Sequence, residues 1–529
     1  MADLVISGAL IVDGSGSSPR AGTVVVSGDR IEDVLRPQES EPPAAHRIDG
    51  SGRVVAPGFV DVHNHSDLTP LVEPTMDSML RQGVTTLVVG NCGGSAYPVS
   101  GAAEMAALAG ADPSELSLDW GTFGEYLERV DAARPALNLA ALVGHGTLRG
   151  TVMGGEQRRA PSEGELWAMR QLLADALDEG AVGLSSGLVY APGLHATTDE
   201  LSAVAGALGD LGGIYASHIR GEGRSVFDAV AECAEIGRRV GVPSHVSHLK
   251  VETRPMWGRA DELLRLLDGE RERGADVTAD QYPYTAWETE LSSALPPWVT
   301  PTELPEVLGD PDRRARLAAA IENGEPGWEN VGRGIGWDRL VIGSHHPDPS
   351  LTGRSIAQLA EDASLEPPEL IARLLVADPY TGLLGHAMHE DDVRTILSRN
   401  DVFVATDGLA ISPGGPLRAF SIYPRYYGTF SRVLGRYARE EGLFSLEDAV
   451  RKMTSLPADR FGLGRRGRID PGAFADLVVF DRDRIADRAT YERPHTFAEG
   501  VDVVVVNGRI AWDGSDVQRH GRALRRGES

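Results

Sequence analysis

Short β-branched runs separated by Gly, Ser and Asp turns open the chain. Leu4-Val5-Ile6, Ile11-Val12 and Thr23-Val24-Val25-Val26 predict antiparallel strands. The carboxyl end repeats the pattern in Ala475-Asp476-Leu477-Val478-Val479-Phe480 and in the run from Val501 to Ile510. One small β unit built from both termini is therefore expected, over residues 1–55 and 465–529. Between them the rhythm changes to short apolar strands alternating with helical stretches, the pattern of βα units. Eight strands are predicted: Phe59 to His63, Val84 to Val89, Leu139 to Val143, Val182 to Ser185, Ile214 to Ser217, Val242 to Ser247, Val277 to Asp280 and Val402 to Thr406. Helices intervene, as at Glu163 to Glu179, which starts after Pro161-Ser162 and stops at Gly180, and at Val226 to Arg239, ending before Gly241. Eight such units predict an α/β chain whose residues 56–464 form a closed (β/α)8 barrel. The stretch from Thr285 to Asn400 is too long for one crossover and contains Leu340-Val341-Ile342-Gly343. It reads as an insertion at about 285–400, on the barrel face where loops frame an active site.

Polar residues that break this pattern collect at the strand ends. In Pro57-Gly58-Phe59-Val60-Asp61-Val62-His63-Asn64-His65-Ser66-Asp67, a strand period of two turns both imidazoles to one side as the strand ends. Alone, that run fits either a metal site or two polar residues at a strand-to-loop junction. Cys92 follows the second strand, His145 the third, His218 the fifth, His248 the sixth and Asp407 the eighth, and a barrel brings all these positions to one face. The set tips the balance toward a metal. Imidazoles, a thiol and a carboxylate suit a borderline-soft ion such as zinc better than a hard cation. Cys92, in the Gly-rich turn Gly90-Asn91-Cys92-Gly93-Gly94, could serve as a nucleophile instead, but no separate acid and base pair stands by to activate it. His245 is three residues before His248, so it points to the other side of its strand and reads as structural. His145 either supports the site or is simply packed.

Composition narrows the function class. The 529 residues are 42% hydrophobic, with no apolar run near the length a bilayer span needs. The start, Met1-Ala2-Asp3-Leu4, has neither a basic leader nor a cleavage motif, so no membrane association and a cytoplasmic location are expected. A formal net charge of −26 without a basic aromatic stripe argues against nucleic acid as a partner. A small-molecule substrate is expected, with assembly into a homo-oligomer left open. Two cysteines, Cys92 and Cys233, exclude a disulfide framework, and Cys233 reads as a helix core residue. Lysine occurs only at Lys250 and Lys452 in an otherwise arginine-based chain, and Lys250 stands two residues after a histidine. That suggests a place needing a compact ammonium.

These residues occur in runs that resemble the N-acyl-D-amino-acid deacylases (D-aminoacylases) of the amidohydrolase superfamily over nearly the whole chain. The runs are Pro57 to Asp67, Gly83-Val84-Thr85-Thr86 through Gly93, Gly183 to Leu188, Ser247-His248-Leu249-Lys250, Tyr282-Pro283-Tyr284-Thr285-Ala286, Tyr427-Gly428-Thr429-Phe430, Lys452 to Ala458 and Ala475 to Phe480. The resemblance implies a TIM-like barrel of the metal-dependent amidohydrolase type with a flanking β-sandwich. It further implies one tight zinc on Cys92, His218 and His248, and a weaker second site on His63, His65 and Asp407. Asp407 would take a proton from water and deliver it to the departing amine. Arg425 would clamp the substrate α-carboxylate, helped by Lys250, Tyr190 and Tyr282; for the two tyrosines, core packing is the alternative.

Two departures stand out. The family reads His-Pro-Arg where this chain has Tyr423-Pro424-Arg425, with extra residues after Asp407. Small polar residues commonly follow the Tyr-Pro-Tyr-Thr-Ala run, whereas here stand Trp287, Glu288, Thr289 and Glu290. A bulkier, more acidic pocket is expected, one that turns preference from acidic side chains toward neutral or amine-bearing ones, unless both glutamates face water on the insertion. The competing readings are a hydantoinase-like cyclic amidase, which typically bridges two metals with a carboxylated lysine, and a non-catalytic barrel that binds a ligand. Lys452 lies beyond the last barrel strand and Lys250 has another assignment, which weighs against the first. No ligand is lost, which weighs against the second.

Overall fold

A computed structural model describes residues 1–108, 111, 114, 116–154, 157–325, 328–417 and 423–528. The chain begins with β1 (Ala2–Ile11), β2 (Arg20–Ser27), β3 (Arg30–Leu35), β4 (Ala44–Asp49) and β5 (Val54–Pro57). It enters the barrel with β6 (Phe59–Asp61), β7 (Val84–Val89), β8 (Asn138–Gly144), β9 (Gly183–Gly187), β10 (Ile214–His218), β11 (Ser244–Val246) and β12 (Val277–Gln281). It leaves for β13 (Trp287–Glu290), β14 (Leu340–Ser344) and β15 (Gly382–Gly385), returns with β16 (Val402–Val404), and ends with β17 (Leu477–Phe480), β18 (Val501–Val506) and β19 (Arg509–Trp512).

The barrel sheet runs β6-β7-β8-β9-β10-β11-β12-β16, with every neighbouring pair parallel. Its strands are buried on both sides, so side chains sort by the two-residue period. In β8, Ala140 and Leu142 join a cluster with Val60, Val62, Val88, Ala216 and Phe403, while Leu139, Ala141 and Val143 belong to the cluster that includes the helices. The sequence marks those helices well. Glu163–Asp178 starts at a reciprocal Ser162–Glu165 capping box, and Val226–Val240 stops at Gly241, whose φ of 73° accepts the left-handed turn. Cys233 is buried in the second of these helices.

β16 and β6 share no ladder, and the seam is sewn just beyond their ends by Asp407 N to His63 O (2.8 Å), His65 N to Gly408 O (2.8 Å) and the Asn64–Gly408 bridge. Beneath it the buried Asp61 carboxyl accepts from the Thr406 amide (3.0 Å), the Thr406 hydroxyl (2.5 Å) and Asn64 Nδ2 (2.9 Å). Burial pushes the Asp61 carboxyl up to about 6 against those three donors. The segments that close the barrel therefore also carry His63, His65 and Asp407.

The terminal strands pair as β19-β18-β17-β5-β1-β2-β3, with β4 also on β1. This sheet is mixed and not purely antiparallel as predicted, because β4 and β5 both lie parallel to β1. Asn507 and Gly508, both at positive φ, turn the Val501–Ile510 run into the β18–β19 hairpin. The final residues leave this sheet for the barrel, where Leu524 N donates to Leu139 O and Arg526 N to Gly180 O. The insertion holds an antiparallel sheet, β13-β15-β14, whose first strand follows β12 directly. No helix among the described residues is long and apolar enough to cross a membrane.

Candidate active site

The carboxyl ends of the barrel strands bring together all six residues read as metal ligands. His63 and His65 follow β6, Cys92 follows β7, His218 ends β10, His248 follows β11 and Asp407 follows β16. Cys92, His248 and Asp407 have φ values of 52°, 38° and 48°. Left-handed backbone is costly for such residues, and holding three of them there concentrates strain at this face. The Cys92 turn is clamped from behind. Ser185 Oγ accepts from Gly93 N (3.1 Å) and donates to Gly90 O (2.5 Å), and a Cβ on Gly187 would lie 2.0 Å from Cys92 O.

Cys92 Sγ is the centre of the cluster, 3.2 Å from His63 Nε2 and 3.7 Å from both His218 Nδ1 and His248 Nε2. His218 Nδ1 and His248 Nε2 are 2.8 Å apart. Asp407 Oδ1 lies 3.3 Å from His63 Nε2 and 3.1 Å from His65 Nε2. The ligand atoms of His63, Cys92, His248 and Asp407 all fall within 4.8 Å of one another, as do those of His218, Glu222 and His248. A tetrahedral zinc with bonds of about 2.0 to 2.3 Å holds its ligand atoms about 3.3 to 3.8 Å apart. The donor set fits such an ion. The distances from Cys92 Sγ to His218 and His248 and from Asp407 to His63 fall in this range, while those of His63 to Cys92, His218 to His248 and His65 to Asp407 are shorter.

The local field favours a cation. Burial opposes ionisation of Cys92, yet the imidazoles of His63, His218 and His248 hold its thiol well below the usual range. Burial likewise opposes charge on Asp407, and Arg425, His63 and His65 outweigh it, holding the carboxyl well below the ordinary range. Against the cost of its own burial, His63 is pushed well above its usual value by Cys92, Asp407 and Asp280. A protonated imidazole among these anions occupies the electrostatic position that a metal cation would take over.

Two acids missed in the sequence hold the candidate ligand histidines. Glu222, four residues after His218, accepts from Lys250 Nζ at 2.5 Å and lies 2.9 Å from His248 Nδ1. Its Oε2 is 3.9 Å from His218 Nε2. Asp280, the fourth residue of β12, accepts from His248 N (2.8 Å), and its other oxygen lies 2.8 Å from His245 Nε2 and 3.6 Å from His63 Nδ1. A carboxylate on the far nitrogen of a ligating histidine sets its tautomer and direction. Only the spacing of Glu222 from His218 signals this role in sequence, because the glutamate sits in a loop without periodicity. Glu222→Gln is expected to weaken metal binding by about 10- to 100-fold, measured by competition with a chromophoric chelator; unchanged affinity would reduce Glu222 to a packing role.

His245 lies below the cluster, also bonded to Thr278 Oγ1 at 2.8 Å, and does not enter it. His145 is buried on another wall, 3.2 Å from Glu200. The residues read as substrate contacts line one side of the mouth. Arg425 begins the helix Arg425–Arg432, with Nη1 2.9 Å from Asp407 Oδ2 and its guanidinium over Tyr423 (4.5 Å) and Tyr282 (5.0 Å). The Tyr282 hydroxyl and Arg425 Nε and Nη1 are buried without a hydrogen-bond partner among the described residues, the contact of Nη1 with Asp407 being an ion pair. The Tyr190 ring is 4.8 Å from that of His218, and its hydroxyl accepts from Thr289 Oγ1 at 3.5 Å. Glu288 turns inward: Tyr426 donates its hydroxyl to Oε2, which also lies 3.5 Å from Arg425 Nη2. Lys250 is bound to Glu222 and stands 2.7 Å from His248 Nδ1, with its ammonium over the Tyr282 ring at 5.5 Å.

Residues 47–511 match the amidohydrolase family. A D-aminoacylase from Alcaligenes xylosoxydans xylosoxydans is 38% identical over 527 residues, spanning 99% of this chain and 98% of that protein. The chain belongs to the amidohydrolase family. A solved D-aminoacylase with a binuclear metal centre, described by one-metal activation and second-metal attenuation, superposes with a TM-score of 0.84 at 36% identity, covering 99% of this chain and 100% of the other. An N-acyl-D-glutamate deacylase from Bordetella bronchiseptica, complexed with zinc and a phosphonate mimic of the reaction tetrahedral intermediate, gives 0.82 at 36% identity with 99% of each chain covered. A D-hydantoinase shares the fold at a TM-score of 0.56 but only 15% identity over 99% of each chain. In this amidohydrolase Lys452 lies outside the mouth: its ammonium is buried against the carbonyls of Leu397 and Arg399, where burial draws it down to about 7. It is not available to bridge metals at the site.

Proposed function

We propose that this amidohydrolase is a zinc-dependent deacylase that hydrolyses the amide bond of N-acyl-D-amino acids, or closely related N-acyl amines, to a carboxylate and a free amine product. The observation that carries this reading is the convergence of Cys92 Sγ with His63, His218 and His248 beside Asp407 and a buried Arg425. The names of the two solved deacylases support it. Cys92, His218 and His248 are assigned the tight zinc, and His63, His65 and Asp407 the weaker second position, with the central sulfur adjoining both groups.

Zinc held by these residues would supply Lewis acidity, lowering the pKa of a water toward neutrality and polarising an acyl carbonyl. The chain itself positions and moves the proton. Asp407, steadied by His65 on one oxygen and Arg425 on the other, takes the proton of the attacking water and returns it to the departing nitrogen. The buried Tyr282 hydroxyl and Arg425 Nε offer unused donors for substrate oxygens. Lys250 and Tyr190 complete the wall. The reading carries with it a small-molecule substrate and a cytoplasmic site of action, where two free thiols stay reduced.

Metal analysis combined with hydrolysis of paired D and L N-acyl amino acids tests it. One tightly held zinc per chain, loss of turnover with a chelator, rescue by zinc and preference for the D series are expected. Full activity in metal-free protein, or turnover restricted to cyclic amides, would overturn it.

A further inference from the structure

Glu288 occupies an uncommon position for a carboxylate. It is carried to the mouth by β13, which is fixed in the insertion sheet by pairing with β15, Glu288 standing opposite Leu384. Its side chain is only 2% exposed. The Arg425 guanidinium therefore lies between two protein carboxylates, Asp407 on Nη1 and Glu288 on Nη2. The arginine side chain is 4% exposed and packed over Tyr423 and Tyr282, so it is not free to swing toward another partner. Lys250, the second cation on this wall, is matched by Glu222. The period of two in β13 puts Glu290 on the same strand face as Glu288, where it accepts from Ser292 Oγ at 2.8 Å.

We propose that Glu288 sets the charge of the side chain this site accepts, selecting N-acyl amino acids whose side chain is cationic and rejecting those that bring a second carboxylate. The inference rests on the deacylase reading and adds the substrate class. One substrate carboxylate, at the α position, finds Arg425 Nε and the Tyr282 hydroxyl, both buried donors without a hydrogen-bond partner among the described residues. A second carboxylate meets Glu288 and an arginine already ion-paired with both Glu288 and Asp407. Like charges brought together beside side chains this buried are strongly disfavoured, and an ammonium in the same place gains a partner. A purely structural Glu288, serving only to brace Arg425 and Tyr426, would affect every substrate alike. That difference separates the two roles.

The test compares zinc-loaded wild-type protein and Glu288→Gln on N-acetyl-D-lysine, N-acetyl-D-leucine and N-acetyl-D-glutamate. In the wild type, kcat/KM is expected to fall in that order, with lysine and glutamate derivatives about 100-fold apart or more. Glu288→Gln keeps a hydrogen-bond acceptor for Tyr426 and removes the charge. It is expected to narrow the gap by about tenfold or more, chiefly through KM, by improving the glutamate derivative and weakening the lysine derivative. A wild-type preference for the glutamate derivative, or an equal effect of Glu288→Gln on all three, overturns the proposal. Calorimetric binding of D-lysine and D-glutamate to the zinc-loaded protein reads the same preference without turnover. If no N-acyl amino acid of either hand is hydrolysed, the deacylase reading fails. Equal binding of the two amino acids, in contrast, removes the role of Glu288.

Discussion

Cys92→Ala is expected to abolish tight zinc binding and bring hydrolysis down to background. The sulfur lies within 3.7 Å of ligand nitrogens from His63, His218 and His248. Without it, the remaining imidazoles supply no anionic donor at the centre. The loss in metal affinity should exceed the roughly 10- to 100-fold typical of removing an outer partner such as Glu222. Metal content after gel filtration and kcat at saturating zinc are the two readouts. The fold should survive, because a Cβ at this position keeps the backbone geometry and the Ser185 clamp acts on Gly90 and Gly93. A zinc-loaded, active Cys92→Ala protein would remove the thiol from the metal site altogether.

Asp407→Asn is expected to lower kcat by about 1,000-fold, within the range that general acid–base groups contribute. The amide is nearly isosteric but neither accepts a proton near neutrality nor balances Arg425. Because Asp407 also faces His63 and His65, zinc content must be measured alongside the rate. A normal content of tightly held zinc with slow turnover at saturating substrate separates loss of the base from loss of metal. Wild-type kcat in the Asn variant would move the base elsewhere, with Glu222 the nearest acid to the other end of the cluster.

The barrel was highly legible because burial on both faces leaves a strand sequence continuous and apolar, as in Val84–Val89. The helices between were legible because their ends carry local chemistry, such as the Ser162–Glu165 box and Gly241. The mixed pairing of the terminal sheet was less so, since an isolated β-branched run such as Val54-Val55 says nothing of the direction of its neighbour. The acids around the ligands were also hidden. Glu222 has no sequence period, and the strand periods of Asp61 and Asp280 do not name their partners; each gains its role from a donor on another strand or loop.

By itself the sequence determined the number of barrel strands, the limits of helices such as Glu163–Asp178 and the identities of six ligand candidates, because these depend on local periodicity, caps and residue chemistry. Tertiary structure decided which of those residues share atoms in space. It made Cys92 Sγ the common neighbour of three imidazoles, used the β6–β16 seam to set His63 and His65 against Asp407, and brought Glu288 from the insertion onto Arg425. Each of these contacts joins segments far apart in the chain, and their geometry depends on barrel closure and insertion packing that no local window contains.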